Sequence, residues 1–145
     1  MVIISLWIFM YIFPFWSDLH TYYKMKNCSS EQTKEILNLM GVEYNTNAEI
    51  TYIEHKSTWG NDTPRHFYII LFCDDSEIIS DYYTYINRMA KKNSYENDYE
   101  INVKSTSEKE LSIYYTYNMK RDGPPCALEQ YIKKNGVRVI RMIDN

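Results

Sequence analysis

The stretch HFYIILFCDDSEIISDYYTYINRMAKK, residues 66–92, decides the fold. Its first part, Phe67 to Cys73, is an almost unbroken apolar run rich in β-branched and aromatic residues, which predicts a central strand covered on both faces. Asp74 and Asp75 end that strand and offer capping oxygens to a helix. Apolar residues of the helix recur at three- and four-residue steps and form one stripe: Ile79, Tyr82, Tyr83, Ile86, Met89 and Ala90. A central strand followed by an amphipathic helix predicts a small α+β domain.

Two elements are predicted on the N-terminal side of this stretch. Ser29 and Gln32 have capping-box spacing, and Gly41 is a typical helix C-terminus, so a short helix is expected between them. A strand follows at about Glu49 to His55. The residues KSTWGNDTPR (56–65) are dense in turn formers and would join that strand to the central strand as an antiparallel hairpin with a long loop.

Four short strands are predicted on the C-terminal side. Two of them, YEINVK (99–104) and ELSIYYTYN (110–118), flank a polar turn. In the last segment Asn135-Gly136 suits a type I′ turn. The arms of that final hairpin would be Gln130 to Lys133 and Val137 to Ile143.

These elements predict one α+β domain over residues 29–145, after a polar linker at residues 18–28. We expect an antiparallel sheet of five or six strands, with one long amphipathic helix packed on a face and a short N-terminal helix. A chain of 145 residues suits one domain with an appendage, since about 100 to 150 residues is the commonest domain size. Glycine and proline are scarce, with 4 of each, which argues against a disordered chain.

The appendage is the N-terminal segment MVIISLWIFMYIFPFWS, residues 1–17, which has no charged side chain. As a helix it would span about 25 Å, slightly less than the roughly 30 Å of a bilayer core. We expect an uncleaved membrane anchor or signal anchor, because so much apolar surface is costly to leave in water. The alternatives are a buried terminal strand or helix, or a start inside a longer membrane segment. The lysines that follow give no firm orientation, so the side of the membrane stays open.

Charge and cysteine content exclude several classes of function. The net charge is −3 and no basic run is longer than two residues, so the clustered lysines and arginines that nucleic-acid binding needs are missing. The three cysteines have no C-x-x-C spacing, which argues against a zinc site. One bridge, between Cys28 and Cys126, is conceivable in an oxidising compartment. We expect no metal and no cofactor, and the oligomeric state is open.

Four residues are the candidates for catalysis. If the first hairpin is centred between Gly60 and Asn61, His55 and His66 face each other with Asp62 above them in the loop, and the group could bind a metal or perform acid–base chemistry. A hydrolase of this kind is the alternative function. Cys73, just before the central helix, is a further candidate nucleophile, although its place at the end of an apolar strand favours a buried thiol.

The surplus of tyrosine favours a binding protein over an enzyme. The chain has 15 tyrosines, and successive strand residues face opposite sides, so some of these rings must reach the surface. Exposed tyrosine and tryptophan suit a protein partner because rigid amphipathic rings give contact area at low entropy cost. We therefore expect a membrane-tethered, non-enzymatic binding or accessory domain, for instance an immunity-type or envelope protein. The residues expected to bind are Trp59, Asp62, Tyr52 and Tyr68.

Overall fold

Six strands form one antiparallel sheet in the structure, a computed structural model that describes residues 19–58, 65–96, 99–117 and 124–142. The order across the sheet is β4-β5-β3-β2-β1-β6, so the first and last strands of the described chain pair at one edge. The predicted α+β class and antiparallel sheet are confirmed. The strands are β1 Leu19–Lys26, β2 Ala48–Thr58, β3 Arg65–Cys73, β4 Tyr99–Ser107, β5 Glu110–Tyr117 and β6 Val137–Met142.

Three helices in the described chain pack on one face of this sheet, which we call the covered face. They are α1 Ser30–Leu39, α2 Ser76–Glu96 and α3 Pro124–Asn135. Their apolar stripes join alternate residues of the strands in a single core. Residues with no exposed area in that core include Ile36, Leu37, Ile50, Ile53, Ile69, Leu71, Leu111, Ile113, Leu128 and Ile132. The opposite face carries no helix of the described chain, and we call it the open face.

The helix termini follow local rules that the sequence already displays. The Ser29 hydroxyl accepts from the Gln32 backbone N–H and the Gln32 side chain accepts from the Ser29 N–H, which completes the predicted capping box. Gly41 follows the end of α1 at φ +76°, a conformation that a side chain would strain. The Asp75 carboxylate accepts the Glu77 N–H at 2.9 Å, so it caps the first turn of α2 as expected.

The central strand β3 is the third of six, but the helices of the described chain cover only one of its faces. Phe67, Ile69, Leu71 and Cys73 are fully buried, whereas the residues between them are half-buried. The prediction that both faces are covered is therefore wrong. The run is almost uniformly apolar in sequence, but only alternate residues belong to the core. The residues between them remain partly accessible to solvent.

The predicted linker at residues 18–28 is also wrong, because Leu19–Lys26 forms β1. This strand pairs with β2 on one side and with β6 on the other. Lys24 and Lys26 lie at positions that point to the open face, and they give the strand the composition of a polar connection. Its partners lie about 30 and 120 positions away in the chain, too far for a local pattern to reveal the pairing.

The final predicted hairpin is wrong in its first arm, which belongs to the helix α3. Two prolines at the start suit the first turn of a helix, and Leu128 and Ile132 lie one turn apart on its buried side. No type I′ turn forms at Asn135-Gly136, since positive φ among the described residues is confined to Asn27 and Gly41. Instead the Gly136 N–H donates to the Ile132 carbonyl at 2.7 Å. A Cβ on Gly136 would lie 2.6 Å from that oxygen, so the close approach requires glycine.

Within the described residues, no helix has the length and apolar character needed to cross a bilayer. The predicted anchor at residues 1–17 lies outside these residues.

Candidate functional site

The open face exposes its side chains in four rows that cross the strands. Strand pairing defines each row, because residues directly opposite each other point to the same side. The two central rows carry most of the aromatic and aliphatic residues. From β1 to β4 these rows are Lys24, Glu54, Tyr68, Tyr114 and Asn102, then Lys26, Tyr52, Ile70, Ser112 and Lys104.

Three tyrosines form a continuous cluster at the centre of this face. The ring centroids of Tyr52 and Tyr68 are 5.9 Å apart, and those of Tyr68 and Tyr114 are 4.9 Å apart with nearly parallel planes. Partial burial, together with the adjacent Tyr68 hydroxyl, raises the pKa of Tyr114. Tyr114 remains 41% exposed. The structure thus brings two of the predicted binding residues together and adds Tyr114, and we call the three residues the tyrosine cluster.

Lysines border the cluster on its β1–β2 side. The Lys24 and Lys56 ammonium groups lie 5.9 and 5.8 Å from the centroid of the Tyr22 ring, within cation–π range. Lys24 is also 4.0 Å from Glu54, the carboxylate whose other oxygen accepts from the Tyr52 hydroxyl. The surface next to the tyrosine cluster on its β1–β2 side is therefore partly exposed and mainly basic.

His55 and His66, the predicted catalytic pair, lie on opposite faces of the sheet. His55 pairs with Phe67, and His66 pairs with Lys56. The expected register holds from Ala48 to Ile50, but an irregularity at Thr51 then shifts it by one residue. A shift of one residue moves every later side chain to the other face. The prediction that the two histidines face each other is wrong for this reason.

His66 is exposed on the open face, where its Nδ1 lies 3.2 Å from the Thr116 hydroxyl. Partial burial, with Lys56 nearby, lowers its pKa. His66 therefore belongs to the margin of the tyrosine cluster.

His55 belongs to a buried polar cluster beneath α3 on the covered face. The Tyr117 hydroxyl donates to Glu129 Oε2 at 2.9 Å, and its oxygen lies 2.9 Å from His55 Nε2. Glu129 Oε1 accepts from Arg65 and, at 2.8 Å, from the Lys133 ammonium. We call these five residues the buried charge cluster. Three lie on the covered face and two on α3; His55 has no exposed area, and Lys133 is the most exposed of the five.

Hydrogen bonding and burial together define the protonation state of His55. Tyr117 has one hydroxyl proton and gives it to Glu129, so its oxygen must accept from His55 Nε2–H. This places a proton on Nε2. The buried Nδ1 has no hydrogen-bond partner among the described residues, and it stays unprotonated at neutral pH because the pKa of His55 is strongly lowered. Burial, followed by the charges of Lys133 and Arg65, lowers the pKa of His55 to about 3. Burial likewise raises the pKa of Tyr117 far above its usual range.

The arrangement of the buried charge cluster is structural. A general base must reach the proton it removes, but the His55 ring is enclosed by aromatic neighbours, with Phe67 at 4.6 Å between centroids and Tyr117 at 6.3 Å. The carboxylate of Glu129 on α3 instead links β3 and β5 through Arg65 and Tyr117. This link attaches α3 to the sheet.

The structure supports neither the disulfide bridge nor the nucleophilic cysteine that were considered from the sequence. Cys28, Cys73 and Cys126 are all unbridged, so the conceivable Cys28 to Cys126 bridge is not present. Cys73, the candidate nucleophile, has no exposed area. Burial raises the pKa of the Cys28 thiol to about 11, which keeps it protonated at neutral pH.

Two predicted binding residues, Trp59 and Asp62, lie outside the described residues, in the segment that connects β2 and β3. Within the described chain, no three histidine, cysteine or acidic side chains converge in a way that could bind a metal ion. Of the acidic residues before α2, Asp75 caps the helix and Asp74 accepts from the Lys109 ammonium at 2.7 Å.

Neither the protein-family models nor the curated proteins nor the solved structures include a match to this chain.

Proposed function

We propose that this chain is a membrane-tethered, non-enzymatic domain that binds a protein partner through the open face of its sheet. The observation that carries the proposal is the tyrosine cluster, formed by Tyr52, Tyr68 and Tyr114 on a face without a helix of the described chain. Rigid aromatic rings supply large contact areas at low entropy cost, and they are enriched among the residues that dominate binding energy.

The charges around the cluster support a folded protein as the partner. Among the described side chains of β1 to β5, four lysines and four glutamates occupy the open face, and they are unevenly distributed: Lys24, Lys26, Lys56 and Lys104; Glu49, Glu54, Glu100 and Glu110. β1 and β2 carry three of the lysines and two of the glutamates, whereas β4 and β5 carry one lysine and two glutamates. We infer a partner surface that is apolar at its centre and acidic where it meets β1 and β2, because complementary potentials fix the orientation of two proteins.

A single-stranded nucleic acid is the other macromolecule that stacks on exposed aromatic rings. The open face favours it less, since the described side chains of β1 to β5 include equal numbers of lysine and glutamate and so offer no surplus charge to neutralise phosphates. The rings of Tyr68 and Tyr114 are also stacked on each other, so part of each ring face is already occupied.

The tether is the apolar segment at residues 1–17, proposed on its composition alone. It precedes β1, which lies next to the edge strand β6. The alternative function, a metal- or histidine-dependent hydrolase using His55, His66 and Asp62, gains no support, since the two histidines lie on opposite faces.

The test is a pull-down of the full chain from detergent-solubilised native membranes with two matched variants. Tyr114→Ala removes a ring of the cluster that is 41% exposed, and Tyr83→Ala removes a ring on α2 that is 37% exposed. We expect a specific, stoichiometric protein that is lost with Tyr114→Ala and retained with Tyr83→Ala. Lys56→Glu should weaken the same interaction more at low salt than at high salt.

Three results would overturn the proposal. The first is a partner that both tyrosine variants retain. The second is tight binding of a single-stranded oligonucleotide that Tyr114→Ala abolishes, which would assign the face to nucleic acid. The third is self-association in sedimentation experiments that depends on Tyr114, which would assign the face to a second copy of the chain.

A further inference from the structure

A cleft lies on the helix side of the molecule, and none of its lining residues belongs to the tyrosine cluster. It lies between the segment that follows α1 and the exposed side of α2, and its volume is about 440 Å³. This volume falls within the range of about 300 to 1,000 Å³ that is typical of small-molecule sites. The cleft is lined by Val42, Glu43, Tyr44, Asn45, Ile78, Asp81, Tyr82 and Tyr85.

Hydrogen bonds from α2 hold the two walls of the cleft in place. The Tyr82 hydroxyl donates to the Glu43 carbonyl at 2.9 Å and accepts the Asn45 N–H at 2.8 Å. One turn further along, the Tyr85 hydroxyl donates to the Gly41 carbonyl at 3.0 Å. Both phenols therefore have a polar anchor at the segment after α1, and their rings form fixed walls. A preformed site costs less ordering entropy when a ligand binds.

The charged groups of the cleft are both carboxylates. Glu43 and Asp81 line it, and none of its eight lining residues is basic. In the part of the chain that the structure describes, neither carboxylate has an ion-pair partner. Burial raises the pKa of the Tyr82 phenol, and the charge of Glu43 contributes to the increase, as expected where the local potential is negative.

We propose that this cleft binds an organic ammonium ion. A cation is attracted by both carboxylates, and the faces of tyrosine rings add cation–π attraction. The side chains of Val42 and Ile78 provide apolar surface for the aliphatic part of such a ligand. A bare divalent metal ion fits less well, because hard cations need several converging oxygen ligands. Phosphates and carboxylates are repelled by the same two acidic residues.

The experiment is calorimetric titration of the full chain in micelles, at low ionic strength, with spermidine as the probe. Saturable binding is expected for the unmodified protein. Asp81→Asn and Glu43→Gln should each weaken the affinity about fivefold, as expected for loss of one partly exposed charge. Glu100→Gln is the control, because it removes an exposed carboxylate from the open face of β4 and should leave the affinity unchanged.

A second pair of variants separates the rings from the charges. Tyr85→Phe retains the ring and should bind spermidine nearly as well as the unmodified protein, whereas Tyr85→Leu should bind several-fold more weakly. Parallel titration with N-acetyl-lysine amide distinguishes a free polyamine from a lysine side chain as the source of the ammonium group, and the tighter ligand identifies the source.

Two results would overturn the proposal that the cleft binds an ammonium ion. One is the absence of saturable binding of either probe, and the other is an equal loss of affinity in Asp81→Asn and in the Glu100→Gln control. The titration and the pull-down test separate proposals, since the cleft and the tyrosine cluster share no residue.

Discussion

Tyr114 and Tyr117 lie three residues apart on β5 and have opposite environments. Tyr117 points to the covered face, where its hydroxyl contacts both His55 and Glu129. Tyr114 points to the open face, stacks on Tyr68 and remains 41% exposed. The role of a tyrosine on this strand therefore depends on the face to which its side chain points. On one face the phenol satisfies buried polar groups, and on the other the ring is available for contact.

Ionic groups show the same contrast between the faces. Glu129 on the covered side contacts Arg65, Lys133 and Tyr117 in a site with little exposure to water. On the open face the Lys24–Glu54 pair is 4.0 Å apart and accessible to solvent, where such pairs contribute little. Substitutions that remove charge or hydroxyl groups should therefore affect stability on the covered face and binding on the open face.

The largest effect is expected for Glu129→Gln. The substitution leaves the buried Arg65 without its counter-charge and also removes the ion pair of the more exposed Lys133, which should lower the free energy of unfolding by about 3–5 kcal/mol. Urea denaturation followed by circular dichroism measures this change. Glu100→Gln on the open face is the control and should change stability by less than about 0.5 kcal/mol. Equal losses in the two variants would show that the buried charge cluster does not support the fold.

A smaller effect is expected for Tyr117→Phe. Loss of the hydroxyl leaves His55 Nε2–H and one oxygen of Glu129 without their partner, at a cost of about 1–3 kcal/mol. Tyr114→Phe removes the same atom from the same strand on the open face and should be nearly neutral. Comparison of the two urea midpoints tests the contrast directly, and a reversed order would refute it.

The smallest effect is a dependence of stability on pH. The pKa of His55 is about 3 in the folded protein, against 6.5 for the unperturbed group. The unfolded state therefore takes up the proton first as the pH falls, so the contribution is complete above pH 6.5 and is lost towards pH 3. Between pH 7 and pH 5.5 the loss should be about 1 kcal/mol. His55→Phe should flatten this slope; an unchanged slope would mean that another group causes it.

The fold class was predictable because its signals are local. The capping box at Ser29, the helix after Asp75 and the alternation in β5 each depend on a few neighbouring residues. The strand β1 was missed because its pairing partners are distant in sequence. The helix α3 was mistaken for half of a hairpin because Asn135-Gly136 resembles a turn, although the spacing of Leu128 and Ile132 was helical.

The candidate site was predictable only in part. The tyrosine surplus led to Tyr52 and Tyr68 as expected binding residues, but their contact with Tyr114 depends on the register with β5. The buried charge cluster was invisible in the sequence, since its residues come from four separate elements. One irregularity at Thr51 separated His55 from His66, and no pattern in the sequence indicates it.

The most direct test of the central claim is photo-crosslinking in native cells with p-benzoylphenylalanine in place of Tyr114 or, separately, of Tyr83. Both side chains are similarly exposed, but only the first lies on the open face. A protein adduct of one defined mass from position 114, absent from position 83, is the result that the account predicts. Adducts from position 83 alone, or from neither position, would contradict it.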